Sequence, residues 1–274
     1  MEEFYASRLD LDKPNPSRIY DCALGGYHNF AADRAALEQA MQVNPHTVAI
    51  CRANRDFLRR VVEFLVAQGI DQFLDIGSGI PTVANVHEVA HRTNPEARVV
   101  YVDIDPVAIT HSQEILKDIP QVTAILGDAH QPAYILSHPK VQALLDFNRP
   151  IALLMVTVLH YILHTPQAED AVRTFCAPLV SGSFLVISHG TNEQAPPDVV
   201  ARLEKLSDST SNPLRNRSRA EITRFFDGLE LLDPGLVFIP QWRPDPRLSP
   251  NATPYLFERE PERSQVLAGV ARIP

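Results

Sequence analysis

FLDIGSGIPT, residues 73–82, reads as a short buried strand running directly into a glycine turn. Gly77 and Gly79 let the backbone bend tightly and let a ligand approach where a Cβ would collide. A Gly-x-Gly turn is weak evidence by itself, because many such loops close with nothing bound. Its meaning comes from the two strands that follow. VVYVDIDP ends a second strand at Asp103, with Ile104 beside it, 24 residues past Gly79. That is near the roughly 20-residue separation at which an acidic side chain meets the vicinal hydroxyls of a ribose. Asp105 stands directly before Pro106 and a helical run, so it reads as an N-cap with proline at the first helical position. AILGDAH ends a third strand at Asp128 and Ala129. There a carboxylate can accept from an adenine amino group and a backbone N–H can donate to a ring nitrogen, although Asp128 has a competing role as cap of the next turn.

Outward from this stretch the pattern repeats. QFLDIG, ARVVYVDI, VTAILGD, IALLMVTVL and SFLVIS are strand-like runs, mostly separated by segments long enough for a crossover helix. The expected fold is α/β, a doubly wound, mostly parallel seven-stranded sheet. Its last two strands, GLVFIPQW (235–242) and SQVLAGVA (264–271), are expected to pair antiparallel at the edge. RAEITRFF reads as a helix entered by a capping box, Ser218 with Glu221. The polar loop 207–218 before it is expected to be mobile. Upstream, Pro16 and Ser17 open a short helix that Gly25 and Gly26 stop, and Ile50, Phe57, Val61 and Leu65 mark an amphipathic helix over 46–68. We therefore divide the chain into an N-terminal helical cap or lid, 1–68, and a ligand-binding domain, 69–274.

Composition narrows the function. With 274 residues, 45% of them hydrophobic, the chain can build one large α/β core with a modest cap. Its formal net charge of -8 repels a polyanion, so no nucleic acid partner is expected. The start is acidic and without an apolar core, and IALLMVTVL (151–159) falls far short of a bilayer span, so a cytoplasmic protein is expected. Cys22, Cys51 and Cys176 lack metal-type spacing and read as small buried residues. Many of the 23 prolines fall between 234 and 261, which should be extended and irregular.

The dinucleotide fingerprint has a third glycine, whose place is taken here by Thr82 behind Pro81. That weakens an NAD reading. S-adenosylmethionine carries a zwitterionic amino acid where a pyrophosphate would lie, and Asp75 is placed to favour its ammonium and sulfonium end. The chain also resembles a substrate-orphan family of S-adenosylmethionine-dependent methyltransferases found mainly in actinomycetes. The resemblance is carried by PNPSRIYDCALGGYHNFAADR near the start, NRDFLRR (54–60), QFLDIGSGIPTVANVHEVA, VVYVDIDP, RPIALLMVTVLHYI and a late PGLVFIPQWRP. It implies a class I methyltransferase fold with S-adenosylhomocysteine as product. Gly77, Ser78 and Gly79 would then be the cofactor loop, Asp103 the ribose ligand, and Asp128 with Ala129 the adenine site. VLAGVARIP departs from the glycine-arginine-lysine ending expected of that family, so the resemblance does not define the last strand's edge.

For the methyl acceptor, a small molecule is expected. Arg18, Tyr27, Asn29, Arg34 and Arg55 can clamp a carboxylate or order an acceptor, each against a surface or capping alternative. Arg18, Asn29, Arg55 and Thr157 are carried forward as cofactor-site candidates. Tyr27, His160 and Tyr161 are candidates at the chemistry, with His160 and His189 each open between general base and hydrogen-bonded structural histidine. MVTVLHYI lacks the acid-or-amide, proline, proline, aromatic pattern of enzymes that methylate nucleobase amines, and no proline-cysteine pair suggests cytosine carbon methylation. HEVAH (87–91) matches a zinc-hydrolase pattern, but so short a match on the helix after the glycine loop implies no metal. LRNRSR (214–219) reads as a solvated loop leading into a helix. The alternatives are a sensor or regulator that binds S-adenosylmethionine without transferring its methyl group, and an NAD-dependent oxidoreductase.

Overall fold

The computed structural model describes residues 10–81, 84–245, 256–257 and 259–274. Strand β1 (Gln72–Ile76) is buried at every position, as a central strand covered on both faces must be. β2 (Arg98–Asp103) and β3 (Val122–Leu126) extend the sheet on one side, β4 (Ala152–Val156) and β5 (Phe184–Gly190) on the other, all parallel. Side chains alternate between two cores. Phe73, Val99 and Leu154 face one with Phe57, Val61 and Leu65, whereas Leu74, Val100 and Leu153 face the other with Ala168 and Phe175.

Two short strands, β6 (Glu230–Leu231) and β7 (Val237–Phe238), and one long one, β8 (Val266–Arg272), complete the sheet. The order is β3-β2-β1-β4-β5-β8-β6, seven strands in a row, with β7 as an eighth pairing β8. The two late runs pair antiparallel as expected, Val237 opposite Ala268, but β8 lies inside the sheet between β5 and β6 rather than at its edge. The strand expected over 235–242 contracts to two residues because Pro240 cannot donate to a ladder, and a 3-10 turn, Ile239–Gln241, replaces it. β8 pairs β5 from Val266 to Arg272, so the unusual C-terminal segment still makes a full strand.

Ten helices are described. α1 (Pro16–Ala23), α2 (Ala31–Val43) and α3 (Thr47–Ala67) precede the sheet. α4 (Val86–His91), α5 (Pro106–Leu116), α6 (Pro132–Leu136), α7 (Pro139–Leu144), α8 (Thr165–Cys176), α9 (Pro197–Ser207) and α10 (Arg219–Thr223) follow. Asp105 caps α5, accepting from the Val107 N–H, and the Ser218–Glu221 capping box opens α10. α9 was not expected; its Val199, Leu203 and Leu206 are only half-buried, so its apolar stripe is short.

The loop 207–218 is a correction. Ser211 N–H donates to Pro14 O at 2.9 Å, Leu214 N–H to Ser207 Oγ at 2.7 Å and Arg215 N–H to His160 O at 2.8 Å, so the loop is tied along its length. Nor is LRNRSR simply solvated: Arg217 is 1% exposed. Thr82 and most of the proline-rich 246–258 stretch lie outside the described residues. No described helix is long and apolar enough to cross a membrane.

Candidate cofactor and acceptor site

Because β1 to β5 are parallel, the carboxyl ends of β1, β2, β3 and β4 lie along one edge, where ligands meet this architecture. After β1 the chain turns through Gly77 (φ 73°) and Gly79 (φ 64°), conformations that L side chains rarely adopt. A Cβ at Gly77 would lie 2.4 Å from Val158 Cγ2. The Gly77 and Ser78 N–H groups both donate to Val102 O, and the Gly79 N–H donates to Asp103 Oδ2 at 2.8 Å, which folds the turn onto the end of β2.

Asp103 is 3% exposed and also accepts from the Asp105 N–H at 2.9 Å and from the Ser17 hydroxyl at 3.3 Å. Burial pushes its carboxyl up to about 6 against these bonds. Asp75 is 5% exposed, and burial raises it to about 7, with Arg55 opposing the rise and Asp103 adding to it. Arg55 stacks over Tyr20 at 5.4 Å, and its Nε is buried without a hydrogen-bond partner among the described residues.

These groups line two small cavities with shared walls. One takes Asp103, Ile104, Asp128 and Ala129; the other takes Arg55, Asp75, Ser78 and Gly79. Pro16, Ser17, Gly77, Thr157 and Tyr161 belong to both. They hold about 80 and 70 Å³, less than the roughly 300 Å³ at which ligand pockets begin. The start of α1 closes over them.

Thr157, at the end of β4, has φ 54°, a strained conformation for a β-branched residue. Its N–H donates to Ser188 O at 2.9 Å, and its hydroxyl accepts from Asn54 Nδ2 at 3.4 Å. Asn54 also donates to Tyr20 OH and accepts from Ser188 Oγ at 2.7 Å, so one buried amide joins α1, α3, β4 and β5. Past Thr157 opens a chamber of about 300 Å³ walled by α1, α2, α3 and α9, and Thr157 and Tyr161 belong to both chamber and crevice.

Of the remaining candidates Asp128 belongs to the crevice, whereas Arg18, Asn29 and Tyr27 line neither crevice nor chamber. Arg18 is 2% exposed, lies 3.4 Å from Asp33 and 3.9 Å from Asp105, and donates to Lys13 O. Asn29 donates to Asp21 Oδ2 and Gly26 O and accepts from Arg34, which fixes the loop after α1. Tyr27 is 94% exposed. Asp128 lines the crevice and also caps its turn, accepting from the His130 N–H and ring at 2.9 and 2.8 Å. In HEVAH, His87 bonds Tyr101 OH, His91 bonds Ala97 O and Glu88 caps Asn85, so all three have structural partners. Asn54 and Tyr20 also line the cavity and are marked in the sequence only by the NRDFLRR and N-terminal motifs, while Ser17 reads there only as the start of a helix.

A family model described as S-adenosyl methyltransferase matches residues 2–274. Among solved structures, a DUF574 family protein from Streptomyces avermitilis is 39% identical, with 97% of this chain and 99% of that chain covered and a TM-score of 0.89. A proposed methyltransferase from Thermobifida fusca is 38% identical, with 96% of each chain covered and a TM-score of 0.86. No curated protein matches.

Proposed function

This chain belongs to the S-adenosyl methyltransferase family, and on that premise we propose that it methylates a small molecule seated in the chamber beside Thr157. The observation that carries the proposal is the junction itself: Thr157 and Tyr161 are common walls of the cofactor crevice and of the larger chamber. A protein that only sensed the cofactor would need no second chamber at that point. The cofactor, S-adenosylmethionine, supplies the methyl group.

The chain's own residues fit it. Asp103 would receive the ribose hydroxyls, Asp128 and Ala129 would hold the adenine, and Asp75 would answer the ammonium. The unpartnered Arg55 Nε is available to a carboxylate. The two long bonds from Ser17 to Asp103 are ones a ribose can replace, so the start of α1 is the part that must withdraw on binding. We read residues 1–68 as a cap on this basis: α1 and α2 overhang the site, while α3 packs against the sheet. Holding donor and acceptor in line can supply up to roughly 7–11 kcal/mol of the barrier reduction, so positioning is the main service the fold performs. A net charge of -8 and a chamber of about 300 Å³ favour a small acceptor over nucleic acid. The three free cysteines suit a cytoplasmic protein.

Asp103→Ala should weaken S-adenosylhomocysteine binding by about 1–3 kcal/mol through lost ribose hydrogen bonds. Calorimetry on the folded variant measures this, and an unchanged dissociation constant would count against the assignment. Conversion of S-adenosylmethionine to S-adenosylhomocysteine that depends on an added small molecule tests the transfer itself.

A further inference from the structure

Resting on the reading of the chamber as the acceptor site, we propose that the acceptor is an uncharged phenol, methylated on oxygen, and that His160 receives its proton. Among the described residues no Asp, Glu, Lys or Arg lines the chamber; its polar groups are amides and hydroxyls, with Asn54 and Asn212 at the junction with the crevice. A carboxylate or ammonium moved there would lose its hydration without meeting a counter-charge, a penalty of several kcal/mol per ion. A neutral acceptor with an apolar body and a polar handle incurs no such cost.

Among the described residues the chamber is also lined by one histidine, His160, with a ring nitrogen that makes no hydrogen bond. His160 is 7% exposed, and its Nδ1 is buried with no hydrogen-bond partner among the described residues. His189, whose ring centroid is 5.5 Å away, differs: its Nδ1 donates to Gly190 O at 2.7 Å and its Nε2 accepts from Arg217 at 2.8 Å. The ambiguity these two histidines share in the sequence is thus divided: His189 is engaged at both nitrogens, whereas His160 lines the chamber and, among the described residues, its Nδ1 has no partner.

In the proposed step the phenol oxygen bonds to the methyl carbon as the carbon–sulfur bond breaks, its electron pair passing to sulfur. The hydroxyl proton moves to the imidazole. The products are an aryl methyl ether, the neutral thioether S-adenosylhomocysteine and an imidazolium, so the single positive charge passes from sulfonium to His160 and then leaves as a proton to solvent. Burial, His189 and Arg217 all hold the His160 pKa well below its ordinary value, which keeps the ring neutral before reaction and favours release of the proton afterwards. The other titratable groups sharing the chamber are Tyr161, Tyr20 and Cys51, all pushed up by burial and uncharged at neutral pH. A weak base suffices, because a phenol oxygen that bonds the methyl carbon while still carrying its proton becomes an oxonium, which is strongly acidic. An aliphatic amine does not fit, since it would arrive as an ammonium.

The test uses 2-naphthol, 2-naphthoate and 2-naphthylmethylammonium as probes. With S-adenosylhomocysteine-loaded protein, calorimetry should show 2-naphthol binding at least about tenfold tighter than either ion, and with S-adenosylmethionine only 2-naphthol should be methylated. His160→Asn should keep its S-adenosylhomocysteine affinity but lose about a hundredfold or more in rate at pH 7, regaining rate as rising pH ionises the naphthol itself. Tighter binding or faster turnover of a charged probe, no transfer to 2-naphthol, or a variant with the wild-type rate and pH profile would overturn the proposal. Should the variant fail to fold, the probe selectivity of the wild type decides alone. If S-adenosylhomocysteine itself does not bind the wild type, the cofactor-site reading fails instead.

Discussion

Asp75→Asn is expected to bind S-adenosylhomocysteine about a hundredfold or more weaker than wild type, yet to unfold at a higher temperature above pH 7. Both effects come from one buried carboxylate. Asp75 is 5% exposed and titrates at about 7 because burial penalises its charge more than Arg55 relieves it, with Asp103 adding to the rise. In the unfolded chain it titrates near roughly 4. A carboxyl raised in this way stabilises the fold fully at pH below the unfolded value, and that contribution is lost as pH rises through about 7. At pH 8 the cofactor-free protein therefore carries a cost of order 1–4 kcal/mol that asparagine removes. The gap between variant and wild type should close by pH 4. Binding reverses the balance, since the cofactor's ammonium favours the ionised carboxylate. Wild-type binding near pH 6–7 should release protons, and the variant should not. Calorimetry in buffers of different ionisation enthalpy reads both quantities; equal affinities and equal proton release would remove Asp75 from the site.

Arg217→Ala is expected to cost at least about 3 kcal/mol of stability, whereas Arg215→Ala two residues away should stay within roughly 0.5 kcal/mol. Arg217 is 1% exposed and donates to Leu159 O at 2.9 Å, to Ile162 O, to His189 Nε2 and to Thr165 Oγ1. Leu159 and Ile162 belong to the turn after β4, Thr165 opens α8 and His189 lies on β5, so one guanidinium ties the segment that carries His160 and Tyr161 to its neighbours. Truncation leaves interior carbonyls unpaired at about 1–3 kcal/mol each, and opens a void against Phe225 as well. Arg215 is exposed and sits 3.6 Å from Glu221, an arrangement with little net value. Urea unfolding of the two variants should separate them clearly; equal midpoints would mean the buried network is not holding the turn.

The strand ends were legible because each advertises itself locally. β1, β2 and β3 are apolar runs stopped by glycine or aspartate, and Pro106 marks Asp105 as the cap and leaves Asp103 as the site candidate. The capping box at Ser218 is likewise local. What stayed hidden depends on partners far along the chain. Arg18 reads equally well as a clamp or a structural ion until Asp33 and Asp105 are found beside it. His160 and His189 look alike until Arg217, from a run that reads as solvated, proves to satisfy only one of them. Thr157 gives no sign of its positive φ, since threonine is among the residues least suited to it. The chamber is a property of packing: it exists because half-buried residues of α2, α3 and α9 leave space between them.

We propose that one crevice along the edge of the sheet holds the cofactor and presents its methyl group to an uncharged chamber. A crystal structure with S-adenosylhomocysteine bound would show this arrangement. The ribose is expected on Asp103, the amino-acid tail between Asp75 and Arg55, and the sulfur facing the chamber past Thr157. A ligand lodged elsewhere, or a sulfur directed away from Thr157 and Tyr161, would contradict it.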